Sequence, residues 1–278
     1  MKRSERLVNI TKYLMARPHT LIPLPFFAQQ YDAAKSSISE DLGILKRTLA
    51  AKQDGVLETV AGAAGGVRYI PFVGEQYARS YLAQLAQEIQ DPNRILPGGF
   101  VYMSDILGSP KHLRQIGKLI ATRYAYSHPD YVMTIETKGI ALAQAVSMYL
   151  NIPFVTVRRR PKVTEGATLS VNYVASSSDR VEKMELANSM LKQNSSVLIV
   201  DDFVKGGGTL NGMRELVKEF KCTVNSMCIL CEAYYPHKRM VDDYLSLISI
   251  SKIDTENNKL SAQPGNFLAK TNFDHFQK

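Results

Sequence analysis

Two adjacent carboxylates and a glycine-rich turn stand together in the stretch SSVLIVDDFVKGGGTLNG, residues 195–212. The apolar run before them, residues 197–200, is typical of a strand buried on both faces, and a helical pattern follows the turn. Consecutive glycines let backbone N–H groups converge on phosphate oxygens, and the start of a helix adds partial positive charge. The stretch therefore predicts an anion site, with carboxylates beside it for ribose hydroxyls or a metal ion. Its members are Asp201, Asp202, Phe203, Val204, Lys205, Gly206, Gly207, Gly208 and Thr209.

A second strand-to-helix turn precedes the first in the chain. A predicted strand over residues 131–135 leads through this turn into a helical pattern over residues 140–150. Because ligands of α/β proteins bind in the crevice at the carboxyl ends of the strands, we expect both turns to face one ligand. The second turn consists of Glu136, Thr137, Lys138 and Gly139.

These motifs resemble the ligand loops of type I phosphoribosyltransferases, and the resemblance covers roughly residues 99–232. In that family the acidic pair contacts ribose hydroxyls, directly or through Mg²⁺, and the glycine turn holds the 5′-phosphate of phosphoribosyl pyrophosphate (PRPP). The resemblance implies the same roles here for Asp201, Asp202 and residues 205–209, and diphosphate binding for residues 136–139. It also implies a flexible lid over residues 163–178. It implies no metal ion held by the protein alone; Mg²⁺ would bind together with PRPP, near Asp201 and Asp202.

Three further residues and one substitution bear on the same site. Arg158 and Arg160, in the basic run after a predicted strand at residues 153–157, are expected to face the diphosphate; a solvated surface run is the alternative. Phe203 and Tyr102 are candidates for stacking on a base, or else ordinary core aromatics. Lys205-Gly206 stands where the enzymes commonly have Ala-Thr, so one phosphate-binding hydroxyl is lost and a lysine is gained.

The first seventy residues carry a different pattern. Apolar residues recur at helical spacing in residues 2–15 and 35–51, with a short helix between them, and a hairpin is predicted over residues 56–72. A short helix, tight turn and longer helix predict a winged helix-turn-helix, whose second helix enters the DNA major groove. A helical dimerisation module is the alternative. The candidate DNA contacts are Lys35, Ser36, Ser37, Ser39, Lys46, Arg47, Arg3 and Arg68.

The remaining pattern predicts an α/β domain with a mostly parallel sheet. Its strands are expected to include residues 100–106, 181–186 and 244–253, followed by an irregular tail over residues 254–278. We place the domain boundary at residues 73–74. The chain is thus expected to hold a DNA-binding domain, residues 1–73, and a phosphoribosyltransferase-like effector-binding domain, residues 74–278.

Composition limits the class of protein. The net charge of +8 suits a polyanionic partner, and no apolar run approaches the ~18 residues of a membrane span. With no secretory signal pattern at the start, we expect a cytoplasmic protein without a membrane partner. The three cysteines, Cys222, Cys228 and Cys231, are an odd number, which argues against a disulfide framework. The C-x-x-C pair lies in an apolar run and predicts buried strand thiols rather than a zinc site.

The whole chain resembles the purine operon repressor family of Gram-positive bacteria. That resemblance implies a homodimer that binds double-stranded operator DNA, represses purine biosynthesis genes and senses PRPP, which lowers DNA affinity. Because a DNA-binding domain needs a switch and a metabolite site supplies one, we favour a sensor without catalytic residues. A purine nucleotide or guanosine polyphosphate is expected to compete for the pocket, because it also carries ribose and phosphates. The alternatives are an active purine phosphoribosyltransferase with an added nucleic-acid-binding domain, and an RNA-binding attenuator.

Overall fold

A computed structural model of the chain describes residues 1–62, 64–97, 100–160, 166–175 and 180–274. The first unit has three helices and a two-stranded antiparallel hairpin around one small apolar core. Ile10, Phe27 and Ile38, one from each helix, are fully buried in it. This arrangement confirms the predicted winged helix-turn-helix fold; residue 63, in the predicted wing turn, lies outside the described residues. The elements are α1 (Arg3–Met15), α2 (Leu24–Gln30), α3 (Lys35–Lys52), β1 (Val56–Val60) and β2 (Gly66–Ile70).

The second unit is built on a six-stranded sheet with the order β12-β11-β10-β9-β5-β6. All neighbouring pairs are parallel except β11 and β12, which are antiparallel. The elements are α4 (Glu75–Ile89), β3 (Ile95–Leu96), β4 (Phe100–Val101), α5 (Ser104–Gly108), α6 (Pro110–Tyr124), β5 (Tyr131–Ile135), α7 (Gly139–Leu150), β6 (Phe154–Val157), β7 (Thr168–Ala175), β8 (Arg180–Ala187), β9 (Ser196–Val204), α8 (Gly208–Glu219), β10 (Thr223–Ala233), β11 (Leu245–Asp254), β12 (Lys259–Pro264) and α9 (Phe267–Lys270).

The central strand β9 shows why the sheet is covered on both faces. Val197 and Ile199 pack into one apolar core, and Leu198 and Val200 pack into the core on the opposite face. Side chains alternate across a strand, so a continuous apolar run supplies both cores at once. The predicted mostly parallel α/β sheet is therefore confirmed.

Three of the secondary-structure predictions are wrong: those for two strands and that for the C-terminal tail. The expected strand over residues 100–106 ends at Val101, because Ser104 begins a short helix, α5. The expected sheet strand over residues 181–186 instead pairs with β7 in a separate antiparallel hairpin. Only a few residues join β7 to β8, too few for the crossover that a parallel pair requires.

The C-terminal tail is not irregular. Residues 259–264 form β12, which pairs with the preceding strand, and α9 follows. Asn258 adopts a left-handed conformation (φ 50°) in the tight turn between the strands. Phe267 and Phe273 are buried in the second unit, so the apolar residues of this segment explain its order. Residues 275–278 lie outside the described ranges.

The predicted environment of the cysteines is confirmed. Cys228 and Cys231 are fully buried within β10, and Cys222 is buried just before that strand. Over the part of the chain that the structure describes, no cluster of three His, Cys, Asp or Glu side chains has the geometry to hold a metal ion. Among the helices of the same ranges, none is long and apolar enough to cross a membrane.

The two units meet along α6 and the end of α7. Thr122 Oγ1 accepts a hydrogen bond from Val73 N at 3.0 Å, and Lys118 forms an ion pair with Asp54. Helix α4 packs in the second unit's core through Leu82 and other residues on its buried face. The boundary at residues 73–74 stays a prediction.

Candidate ligand-binding site

The acidic pair lies within β9 rather than after it, because the strand continues to Val204. Asp201 is only 4% exposed, and its Oδ1 accepts a hydrogen bond from Asp202 N at 2.9 Å. Burial raises the pKa of Asp201, and the neighbouring charge of Asp202 raises it further. Burial also raises the pKa of Asp202, but a hydrogen bond from Asp201 and the charge of Lys138 oppose this effect. Both carboxyl groups of the pair are therefore easier to protonate than a solvated aspartate.

The glycine turn forms a small concave site at the start of α8. Gly207 has φ +83°, a conformation that L side chains rarely adopt, and an added Cβ would lie 2.9 Å from Val241 Cγ2. Met240 N donates to Gly206 O at 3.0 Å, so the loop after β10 supports the turn from behind. Residues 203–210, together with Phe100, line a cavity of about 140 Å³. We call it the phosphate cavity; its occupant stays a prediction.

The second turn approaches the acidic pair so closely that it requires glycine. A Cβ added to Gly139 would lie 2.1 Å from Thr134 Oγ1 and 3.0 Å from Asp201 Oδ1. Glu136 faces away from the pair, since it accepts a hydrogen bond from Arg159 N at 2.9 Å and lies 3.2 Å from Arg158 Nη1. Thr137 is exposed. The turn thus presents the backbone at the start of α7, where an anion is favoured.

A larger cavity of about 540 Å³ adjoins the phosphate cavity, because Phe100 and Phe203 line both. Lys138 and Asp202 lie on its polar side. Tyr102 is 42% exposed and is not among the described residues that line it, whereas its neighbours Val101 and Met103 are; base stacking by Tyr102 stays a prediction. We call this space the base cavity. Its lining residues are Leu96, Pro97, Phe100, Val101, Met103, Lys138, Asp202 and Phe203.

Sequence reasoning missed Phe100, whose ring is 51% exposed at the edge of both cavities. The signal in the sequence was an aromatic residue directly after Pro97-Gly98-Gly99. Such residues form a turn, which leaves the large apolar side chain that follows outside a core. Gly98 and Gly99 themselves lie outside the described residues.

The basic run is largely neutralised by acidic side chains. Arg158 contacts Glu136, and Arg159 Nη1 lies 3.1 Å from Glu182 on β8. Arg160 is exposed, and residues 161–165 of the run and of the predicted lid lie outside the described residues. The guanidinium of Arg158 contacts Glu136, and its binding to a diphosphate stays a prediction.

The hairpin β7–β8 covers α8 in the region assigned to the lid. Tyr173 donates to Glu182 Oε2 at 2.6 Å, and its hydroxyl also hydrogen bonds with that of Thr209 at the start of α8. Burial, aided by Glu182, raises the pKa of Tyr173 to about 12, so it remains a neutral donor. No local pattern in the sequence indicates this contact, and residues 176–179 of the predicted lid lie outside the described ranges.

The predicted DNA contacts fall into two groups. Lys35, Ser36 and Ser39 are exposed at the first turns of α3, with Ser37 half-buried beside them. The others do not join this group. Arg3 binds Asp41 (2.9 Å) and Glu40 (3.1 Å), Arg68 pairs with Glu58 across the hairpin, Arg47 is exposed further along α3, and Lys46 lines a cavity at the junction with Glu75 and Phe273.

The three-helix unit with its hairpin, joined to a sheet that carries an acidic pair and a glycine turn, defines a class of protein. It is a DNA-binding fold fused to a phosphoribosyltransferase-like domain. Family comparison agrees, since residues 2–71 match "Bacterial purine repressor, N-terminal" and residues 103–265 match "Phosphoribosyl transferase domain".

Full-length relatives make the assignment specific. The chain is 50% identical to the purine biosynthesis transcriptional repressor PurR of Bacillus subtilis, over 96% of this chain and 94% of that one. It is 47% identical to the purine biosynthesis transcriptional activator PurR of Lactococcus lactis, over 96% and 99%, and 44% identical to the probable regulator PurR of Streptococcus pneumoniae, over 96% and 98%. The chain belongs to the PurR family of bacterial transcriptional regulators of purine biosynthesis.

Proposed function

We propose that this chain is a DNA-binding repressor of purine biosynthesis genes, and that PRPP bound in its second unit lowers its affinity for DNA. One observation carries the proposal: the phosphate cavity adjoins the base cavity, which Asp202 and Lys138 line, in a chain whose other unit exposes the first turn of α3. The repressor named in Bacillus subtilis, at 50% identity, supports the sign of regulation.

The parts of PRPP correspond to the parts of the site. The 5′-phosphate suits the backbone N–H groups of the glycine turn, with Lys205 exposed beside them. Ribose hydroxyls suit the carboxylate of Asp202. The diphosphate suits Lys138 and the start of α7.

In this proposal Mg²⁺ binds together with PRPP. Mg²⁺ is commonly bound by one or two carboxylates together with substrate phosphates, rather than by a full set of protein ligands. The carboxylates of Asp201 and Asp202 fit that description, and no third protein ligand is needed. Bound there, the ion would neutralise diphosphate charge.

We propose that the site senses PRPP and performs no phosphoribosyl transfer. Lys205-Gly206 supports this proposal. A lysine and a glycine stand where the enzymes commonly have Ala-Thr, so the threonine hydroxyl that binds the phosphate is absent. The base cavity is large enough to admit the base of a competing purine nucleotide or guanosine polyphosphate.

Regulation requires that PRPP favour a state with weaker DNA affinity; otherwise its binding shifts nothing. A coupling free energy of about 1–3 kcal/mol corresponds to about 5–150-fold in DNA affinity. A homodimer with two-fold symmetry would match a palindromic or repeated operator. Lys35 and the neighbouring serines of α3 would contact phosphates and base edges.

The Lactococcus lactis relative, named an activator, favours a second candidate function. The same DNA and PRPP contacts would then assist transcription instead of blocking it. Transcription in vitro from a purine promoter, with and without the protein, separates the two. A fall in transcript identifies a repressor, and a rise identifies an activator.

An electrophoretic mobility shift on purine promoter DNA, titrated with Mg²⁺-PRPP, tests the proposal beside a turnover assay with PRPP and each purine base. We expect weaker DNA binding with PRPP and no release of pyrophosphate. Base-dependent pyrophosphate release would establish the transferase alternative.

A further inference from the structure

Arg94 closes the open end of the β3–β4 hairpin from a buried position. It is only 8% exposed, and it hydrogen bonds with both backbone polar groups of Tyr102. Tyr102 N donates to Arg94 O at 2.8 Å, and Arg94 Nη1 donates to Tyr102 O at 3.0 Å. One residue therefore fixes the backbone where the chain leaves the hairpin.

Arg94 is itself held by the elements on either side of the hairpin. Its two terminal nitrogens bind both carboxylate oxygens of Asp105 in α5, at 2.8 and 2.7 Å. Its Nε donates to Glu88 O at the end of α4, at 3.0 Å. The hydrogen bonds from Arg94 lower the pKa of Asp105 and keep the carboxylate charged. A lysine at this position could not reproduce the planar, two-pronged contact.

The hairpin that Arg94 holds forms one wall of the base cavity. Leu96 and Phe100 lie opposite each other in the hairpin register, and both line the cavity. Val101 and Met103, which also line it, flank Tyr102 in the chain. The phosphate cavity, by contrast, is formed mainly by β9, the glycine turn and the start of α8, which the central sheet supports.

We propose that Arg94 is a positioning residue that sets the hairpin wall of the base cavity, and thereby the affinity for the base of a purine nucleotide. It does not line the cavity itself; it acts through Phe100 and the residues beside Tyr102. The inference rests on the proposed function, because it takes a ribose phosphate to bind at the glycine turn. The expected effect is selective. The contribution of the base to the binding affinity depends on Arg94, and the contribution of the ribose phosphate does not.

Isothermal titration calorimetry with two probes, GMP and ribose 5-phosphate, tests this selectivity. Arg94→Lys keeps the charge and loses the two-pronged contact, and Asp105→Asn weakens the same contact from the other side. We expect each to lower GMP affinity about tenfold, the value of roughly one base–aromatic stacking contact. The affinity for ribose 5-phosphate should stay within about twofold of wild type. The matched control is Arg79→Lys, which alters an exposed ion pair with Glu75 on α4, away from the hairpin.

Other outcomes would contradict the inference in distinguishable ways. Equal losses for both probes would make Arg94 a general structural residue, and unchanged GMP affinity in both variants would refute its role. A wild-type protein that binds ribose 5-phosphate, but GMP no more tightly, would show that the base cavity takes no base. Binding of neither probe nor Mg²⁺-PRPP by the wild type would overturn the proposed function first. If Arg94→Lys fails to fold, Asp105→Asn decides, because Asp105 lies half-exposed at the helix start.

Discussion

The side-chain amide of Asn151 donates a hydrogen bond to the hydroxyl of Thr20, with 3.1 Å between Nδ2 and Oγ1. Asn151 ends α7, and the first residue of that helix, Gly139, belongs to the turn beside the acidic pair. Thr20 precedes α2 in the DNA-binding unit. A single helix, about 18 Å long at ~1.5 Å per residue, therefore links the candidate ligand site to the unit expected to bind DNA.

This contact leads to a prediction about coupling. Asn151 has a left-handed backbone (φ 56°), so Asn151→Gly keeps the conformation and removes only the side-chain contact. We expect normal affinity for PRPP and for DNA, but a response of DNA affinity to PRPP reduced by about 0.5–2 kcal/mol. Fluorescence anisotropy of labelled promoter DNA measures the response.

The control for that experiment is Asn194→Gly. Asn194 is also left-handed (φ 64°), in a turn where its N–H donates to Lys221 O, away from the junction. A full PRPP response in Asn151→Gly, equal to that of the control, would show that α7 does not carry the coupling through this bond.

Asp202 is expected to be essential for PRPP binding and dispensable for DNA binding. Asp202→Asn removes the charge that faces Lys138 and the base cavity while keeping the shape of the side chain. The affinity for Mg²⁺-PRPP should fall by tenfold or more, about the value of one charge-assisted hydrogen bond. Calorimetry measures this, with the exposed Asp243→Asn as control. Loss of DNA binding in the absence of PRPP would contradict the assignment.

Gly139 offers a steric test of the second turn. Gly139→Ala would place a methyl group 2.1 Å from Thr134 Oγ1, so the turn or β5 must shift. We expect a loss of about 1–3 kcal/mol in the free energy of unfolding and loss of PRPP binding. Gly108→Ala is the control, because nothing lies within 4 Å of its added Cβ. Wild-type stability and PRPP affinity for Gly139→Ala would show that the turn can open without cost.

The two lysines of α3 should behave differently in DNA binding. Lys35 is exposed at the first turn, whereas Lys46 lines the cavity between the two units. Lys35→Ala should weaken DNA affinity and reduce the slope of log K against log salt by about 1. Lys46→Ala should leave the slope unchanged. The reverse result would place the DNA surface on another face of α3.

The junction also predicts a pH dependence of stability. Burial, together with the nearby His128, lowers the pKa of His19 to about 4. In the unfolded chain this histidine binds a proton near its ordinary pKa of ~6.5, whereas in the folded chain it does so only near pH 4. The free energy of unfolding therefore falls as the pH falls from about 6.5 to 4. The loss should be roughly 2–3 kcal/mol between pH 7 and 4.

Urea unfolding at several pH values measures that loss. Position 19 has φ 60°, which asparagine tolerates, so His19→Asn should remove the corresponding part of the slope. The exposed His237→Asn is the control. A slope identical in His19→Asn and wild type would assign the acid sensitivity to other groups.

The parts of the site that could be predicted from the sequence are those whose residues are consecutive or nearly consecutive in the chain. The acidic pair, the glycine turn and the turn over residues 136–139 each lie within a few residues, so local patterns were enough to identify them, although β9 continues past the acidic pair to Val204. The burial of Asp201 and the close approach of Gly139 to Asp201 follow from the neighbouring parallel strands β5 and β9, which the pattern also indicated.

The rest depends on contacts between distant parts of the chain. Arg3 looked like a free cation, but its partner Asp41 lies 38 residues away. Tyr102 and Phe100 are equally aromatic in the sequence, and only the short hairpin decides which lines the cavity. The β7–β8 hairpin and the ordered tail were missed because strand pairing, rather than local propensity, determines them.

The central claim is that PRPP bound at the acidic pair and glycine turn lowers affinity for purine promoter DNA. The most direct measurement is the dissociation constant for that DNA, by anisotropy, in wild type and Asp202→Asn, with and without Mg²⁺-PRPP. We predict that PRPP weakens binding by about 5–150-fold in wild type and by less than about twofold in the variant. A wild-type dissociation constant that does not change with PRPP would contradict the account.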